Sequence, residues 1–188
     1  MTFSEQHTSF WASIPPHEQE VLVLLSIPVR FDEELANKLL ATFSSGSSIS
    51  FEQVLRHQEI ELQPQENGWI FDDEFRLFLL NKATALHLNL LAIHNFLITY
   101  YTTVAQDSPR YLQQGLQYLC LYHRLQLDID KGLQNIFEAY LSETKTGKEQ
   151  ALLALLQVCE TEPVRVETEP AYRVLKIRQL LSGEQADR

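Results

Sequence analysis

Apolar positions first fall into a helical rhythm just after Ile14-Pro15-Pro16. Proline suits the first helical turn, and Glu18 and Glu20 sit where the helix dipole favours carboxylates. Val21, Leu22, Leu24 and Leu25 then form an apolar face up to Ser26, and Pro28 stops the helix. A second helix is expected from Asp32, with Glu33 and Glu34 in its first turn and Phe31, Leu35, Leu39 and Phe43 at helical spacing. The run 44–48, which holds Gly46, reads as a loop. Ser50 can cap a short third helix reaching His57, with Gln53 completing a capping box.

The period then changes. Ile60-Glu61-Leu62 alternates, Pro64 to Gly68 supplies turn residues, and Trp69-Ile70-Phe71 is aromatic and β-branched. This predicts a β-hairpin turning at Asn67-Gly68. Asp72 and Asp73 cap a helix that starts at Glu74 and is led by Phe75, Phe78 and Leu79. From Thr84 onward only helices are predicted. One runs from Leu86 to Ala105, continuous with its predecessor or slightly kinked from it, and the next runs from Arg110 to Leu125 after the turn Asp107-Ser108-Pro109. Further helices span Lys131 to Glu143, Glu149 to Cys159 and Ala171 to Leu181. The expected fold is therefore mainly α: an N-terminal winged helix (three helices plus a β-hairpin) followed by an antiparallel helical array. The domains would be residues 14–82, a helical array over 83–160, and a linker with a C-terminal helix over 161–188.

Composition narrows the function classes. Hydrophobic residues make up 45% of the 188 and charged ones 21%, enough for a packed core. The most apolar stretch, Ala83 to Ala105, carries His87, Asn89, His94 and Asn95 and is too polar to span a bilayer. No basic segment followed by an apolar block opens the chain, and Cys120 and Cys159 lack paired spacing. Both facts point to a cytoplasmic protein with reduced thiols and no membrane partner.

The formal net charge is −10. A winged helix raises DNA binding, which needs a basic footprint. From Met1 to Asp72 three basic residues (Arg30, Lys38, Arg56) stand against eleven carboxylates, and three minus eleven leaves −8. That charge argues against a duplex. The one basic cluster, Arg165, Arg173, Lys176 and Arg178, lies near the C-terminus and keeps a transcription regulator as a lesser alternative.

Catalytic chemistry finds little footing. Lys145-Thr146-Gly147-Lys148 lacks the upstream glycine and strand of a phosphate loop. No serine sits in a nucleophile elbow, and the acidic clusters all fall at helix starts, where capping explains them. His87 and His94, seven apart, would share a helix face about 10 Å from each other, too far for one ion. Cys120 and His123 have chelating i, i+3 spacing, but two ligands make half a site. No cofactor and no metal are expected.

Two segments resemble the region after the nucleotide-binding module of STAND-class signal-transduction ATPases of the AP-ATPase type. Pro16-His17-Glu18-Gln19-Glu20-Val21-Leu22 through Phe31-Asp32-Glu33-Glu34-Leu35 is similar to the first two helices of that winged helix. Gly68-Trp69-Ile70-Phe71-Asp72-Asp73-Glu74-Phe75-Arg76 is similar to its second wing strand and last helix. Tyr122-His123-Arg124-Leu125 with Asp128, Gly132-Leu133 and Phe137 resembles the start of the tetratricopeptide-like array that follows. The ATPase core is missing. Where apoptosome-type members carry Met-His-Asp, this chain has Phe71, Asp72 and Asp73, and a carboxylate there would repel a phosphate. Arg76 matches a recurrent family arginine, and pairing with Asp72 or Asp73 across one turn is an equal alternative.

The resemblance implies a non-catalytic protein–protein interaction or adaptor module of a signalling or defence system, or else an excised regulatory fragment of a larger STAND ATPase. The candidate partner contacts are Trp69, Phe71, Arg76, Tyr100, Tyr101 and Tyr172, with Trp11 a further aromatic, because aromatic and arginine side chains anchor interfaces. Self-association through the last helix is compatible with the sequence.

Overall fold

The computed structural model describes residues 3–45, 51, 62–65, 68–128, 131, 132, 134 and 135. Among them are six helices and one two-stranded antiparallel sheet, so the protein is mainly α. The chain divides into two compact units, Met1–Ile93 and His94–Arg188.

The first unit opens with a helix that the apolar pattern does not announce, α1 (Phe3–Ser13). Its polar and apolar residues are mixed, and it is fastened by ring contacts. His7 lies 5.0 Å from Phe75 and 5.5 Å from Phe78, Phe10 lies 5.9 Å from Phe75, and Trp11 meets Phe78 edge-on at 6.0 Å. Gln19 donates to the carbonyls of Trp11 at 2.8 Å and Ile14 at 3.2 Å, satisfying the last turn of α1. Helix α2 (Pro16–Ser26) starts on the two prolines as expected, and everything from Val21 to Ser26 is buried. Helix α3 (Glu33–Phe43) is capped by Asp32, whose Oδ1 accepts from Leu35 N at 2.8 Å.

Strands β1 (Leu62–Gln65) and β2 (Gly68–Phe71) pair antiparallel with Leu62 opposite Phe71 and Gln65 opposite Gly68. Gly68, expected in the turn, is thus already in β2; Asn67 lies outside the described residues. β2 is bonded on its other edge as well. Phe31 N donates to Trp69 O at 3.0 Å, and Trp69 N to Phe31 O at 2.8 Å. Glycine is required at 68, because φ is +132° and a Cβ would run into the carbonyl oxygen of Phe31. Pro64 falls on the outer strand, where a missing N–H costs no ladder bond. The third helix expected from Ser50 to His57 is described only at Phe51, which is helical and packs on Phe31 and Trp69.

Helix α4 (Asp73–Leu80) follows directly, and Asp72 Oδ1 accepts from Glu74 N at 3.0 Å. Here the structure corrects the expected continuous or slightly kinked helix. The chain leaves α4 through turns over 81–87, His87 adopts φ 54°, and Asn89 starts a new helix by accepting from Ala92 N at 3.1 Å. A side-chain cap with no helical partner upstream makes a clean start. Helix α5 (Leu90–Asp107) therefore begins four residues after Leu86, and His87 and His94 do not share one helix.

In the second unit, α5 from His94 onward and α6 (Arg110–Leu127) form an antiparallel hairpin joined by Ser108-Pro109, within the turn expected from sequence. Ser108 Oγ donates to Val104 O at 2.7 Å and Gln113 Nε2 to Ser108 O at 2.9 Å, so the corner holds its own backbone groups. Asp128 accepts from Lys131 N at 3.0 Å, as a cap at the start of the helix expected from Lys131. The remainder of that helix to Glu143, the helices at 149–159 and 171–181, and the basic cluster at 165–178 lie outside the described residues. No helix among the described residues is long and apolar enough to cross a membrane.

Candidate functional site

The hairpin and α4 carry three of the candidate contact residues, and the structure separates them. Phe71 is 2% exposed and lies 5.6 Å from Phe31 and 5.8 Å from Phe75, inside the core. Arg76 is 7% exposed. Its Nε donates to Ser26 O at 2.9 Å and its Nη2 to Ile27 O at 3.3 Å, which puts the guanidinium at the carbonyl end of α2. A cation there is favoured by the helix dipole and fills the acceptors that the last turn leaves open. This partner lies 50 residues back along the chain, not on the neighbouring turn that the sequence suggested. Trp69 is half-buried, with its ring 4.8 Å from Phe51, and keeps an edge at the surface.

Tyr100 is half-buried and stacks on Phe96 at 6.5 Å. Tyr101 is 3% exposed, part of the α5–α6 packing. Tyr172 lies outside the described residues. Physical reach thus leaves Trp69 and Tyr100 as candidates for touching a partner, while Phe71, Arg76 and Tyr101 are occupied inside.

The same packing brings together two of the histidines. His94 Nδ1 and His123 Nδ1 are 2.9 Å apart, with 8% and 0% of the two residues exposed. Tyr101 stacks on His123 at 5.7 Å and 7°, and Tyr122 meets it edge-on at 4.9 Å. Two like nitrogens at this distance require one to donate and the other to accept. The contact therefore holds a single proton, and a second proton on the inner nitrogens would break it. The arrangement can share and store one proton. Among the described residues no group of three or more potential ligands converges on one point.

Cys120, one turn before His123, is buried and reduced. Its thiol lies 3.5 Å from Thr102 Oγ1 and donates to Ile98 O at 3.7 Å. Burial pushes the thiol upward from its ordinary value, against the Thr102 hydrogen bond and the Arg124 charge. A protonated thiol is a poor nucleophile. Cys159 and His57 lie outside the described residues, and His17 is an exposed residue 3.9 Å from Glu18.

Sequence reasoning did not pair His94 with His123. One signal was available: His94 lies 15 residues before Pro109 and His123 lies 14 after it, so a hairpin folded at that proline sets them at equal height.

No family model, no curated protein and no solved structure matches this chain.

Proposed function

We propose that the chain is a non-catalytic protein–protein interaction module, a winged-helix-like part followed by an antiparallel helical array, serving as an adaptor. The observation that carries this reading is the backbone bridge between Phe31 and Trp69. In a winged helix the segment between the first two helices pairs with the wing, and here that segment, between α2 and α3, pairs with β2. The junction after β2 supports a protein rather than a phosphate partner. Asp72 is engaged as the cap of α4 and Arg76 is committed to the end of α2, so neither offers an anion site. The acidic charge of residues 1–72 removes the usual nucleic-acid role of the fold. Trp69 is then the natural anchor, a large ring held in place by Phe51 and Phe31 with one edge outward.

The test is affinity isolation from native lysate with the wild-type chain and with Trp69→Ala, followed by hydrogen exchange of the recovered complex. A single stoichiometric partner, weakened at least tenfold by the substitution and protecting the amides of β2, is expected. Failure to recover a partner, or a partner indifferent to Trp69 that leaves β2 unprotected, overturns the reading.

A further inference from the structure

Along the α5–α6 hairpin runs a cavity of about 540 Å³. Small-molecule sites span roughly 300–1,000 Å³, with mainly apolar walls and a few placed polar groups. This one fits that description. Ala105, Leu121 and the ring of Tyr118 give it an apolar wall, and Gln106 and Gln117 add neutral amides.

Charge is what narrows the ligand. Among the described residues that line the cavity Arg124 is the sole charged one, and none is a carboxylate. In a chain of net charge −10 this is a local reversal of sign. Among the described residues the guanidinium takes part in neither ion pair, both of which belong to the first unit. The thiol of Cys120, also at the wall, is neutral and donates to Ile98 O, so it does not balance Arg124.

A cationic ligand would meet only repulsion here. A di- or triphosphate would bring more charge than one guanidinium can match. A single carboxylate matches the planar donor fork of arginine, and an apolar body matches the rest of the wall. We propose that this cavity binds a small monocarboxylate with an apolar body, the class of medium-chain fatty acids and arylalkanoic acids, its carboxylate on Arg124 and its body against Ala105, Leu121 and Tyr118. This goes beyond the adaptor reading and does not depend on it.

Isothermal titration calorimetry on the full chain tests the proposal, with decanoate and 4-phenylbutyrate as acids and 4-phenylbutanol as a neutral isostere. One saturable site per chain is expected for both acids, and the tighter of the two separates an aliphatic from an aromatic preference. Arg124→Gln, at an exposed position where the fold does not depend on it, should weaken both acids about tenfold and leave the alcohol within twofold. Ala105→Phe should weaken all three by filling the wall. No saturable binding, several molecules bound per chain, or an equal loss for acid and alcohol in Arg124→Gln overturns the site.

Discussion

The two units bury polar side chains in opposite ways. In Met1–Ile93 the buried cation Arg76 is matched to fixed backbone acceptors, the carbonyls of Ser26 and Ile27. That match does not depend on a shared proton. In His94–Arg188 the buried polar pair is His94 and His123, and its bond exists only while the two inner nitrogens hold one proton between them. The first arrangement is a lock and the second is conditional. A buried polar group stabilises a unit according to whether its partner can change state, not according to how deeply it sits.

The sharpest way to break this contrast is to remove the lock. Arg76→Ala strips donors from two helix-end carbonyls and leaves a void, and should cost about 3 kcal/mol. The two tryptophans, Trp11 and Trp69, both lie in the first unit, so fluorescence-detected urea unfolding reads that unit specifically. A loss below about 1 kcal/mol would show that the guanidinium is a passenger. Gly68→Ala comes next. At φ +132°, with the Phe31 carbonyl in the way, it should cost about 2 kcal/mol by the same measurement and loosen the bridge to Trp69. A neutral result would mean that β2 can draw away from Phe31 freely.

The smallest effect concerns pH, and its sign follows from proton counting. The unfolded chain protonates both histidines below about pH 6.5, whereas the folded pair keeps its bond with one proton at the contact. Two inner nitrogens that both carry protons cannot keep that contact, so protection of the second unit should fall as pH is lowered. Among the described residues Tyr101 and Tyr122 pack on His123, and Cys120 and Arg124 neighbour it along α6. Hydrogen exchange of the α6 amides on either side of the histidine range, about pH 6.5, reads the effect. His94→Asn, which leaves a hydrogen-bonding partner near His123, should flatten the dependence by about one proton. An unchanged slope would discard the shared proton.

The sequence carried those elements whose causes are local. Pro16 starts α2, Asp32 caps α3, Asp72 caps α4 and Pro109 precedes α6, each within a few residues of what it determines. The alternation on either side of Pro64 predicted the hairpin. What escaped notice depends on distant partners. Helix α1 has no strong stripe of its own and is held by Phe75 and Phe78, more than sixty positions further on. The break at 81–89 was hidden because Leu86, Leu88 and Leu90 continue an apolar run that is compatible with a helix, and only the Asn89 cap discloses it. Arg76 was noticed, but its acceptors are backbone atoms of another helix, which no side-chain spacing encodes. The cavity beside Arg124 combines residues of two helices and was equally invisible.

The bond from Arg76 to Ser26 also has a kinetic meaning. It joins positions 50 apart, so forming it closes a long loop at an entropic cost that contacts between neighbours do not carry. If it is absent from the folding transition state, Arg76→Ala should speed unfolding far more than it slows folding, which unfolding kinetics would read directly. The guanidinium is then a latch on the lifetime of the first unit. The α5–α6 hairpin, by contrast, folds over two residues at Ser108-Pro109, and its described hydrogen bonds between the helices join positions at most 29 apart.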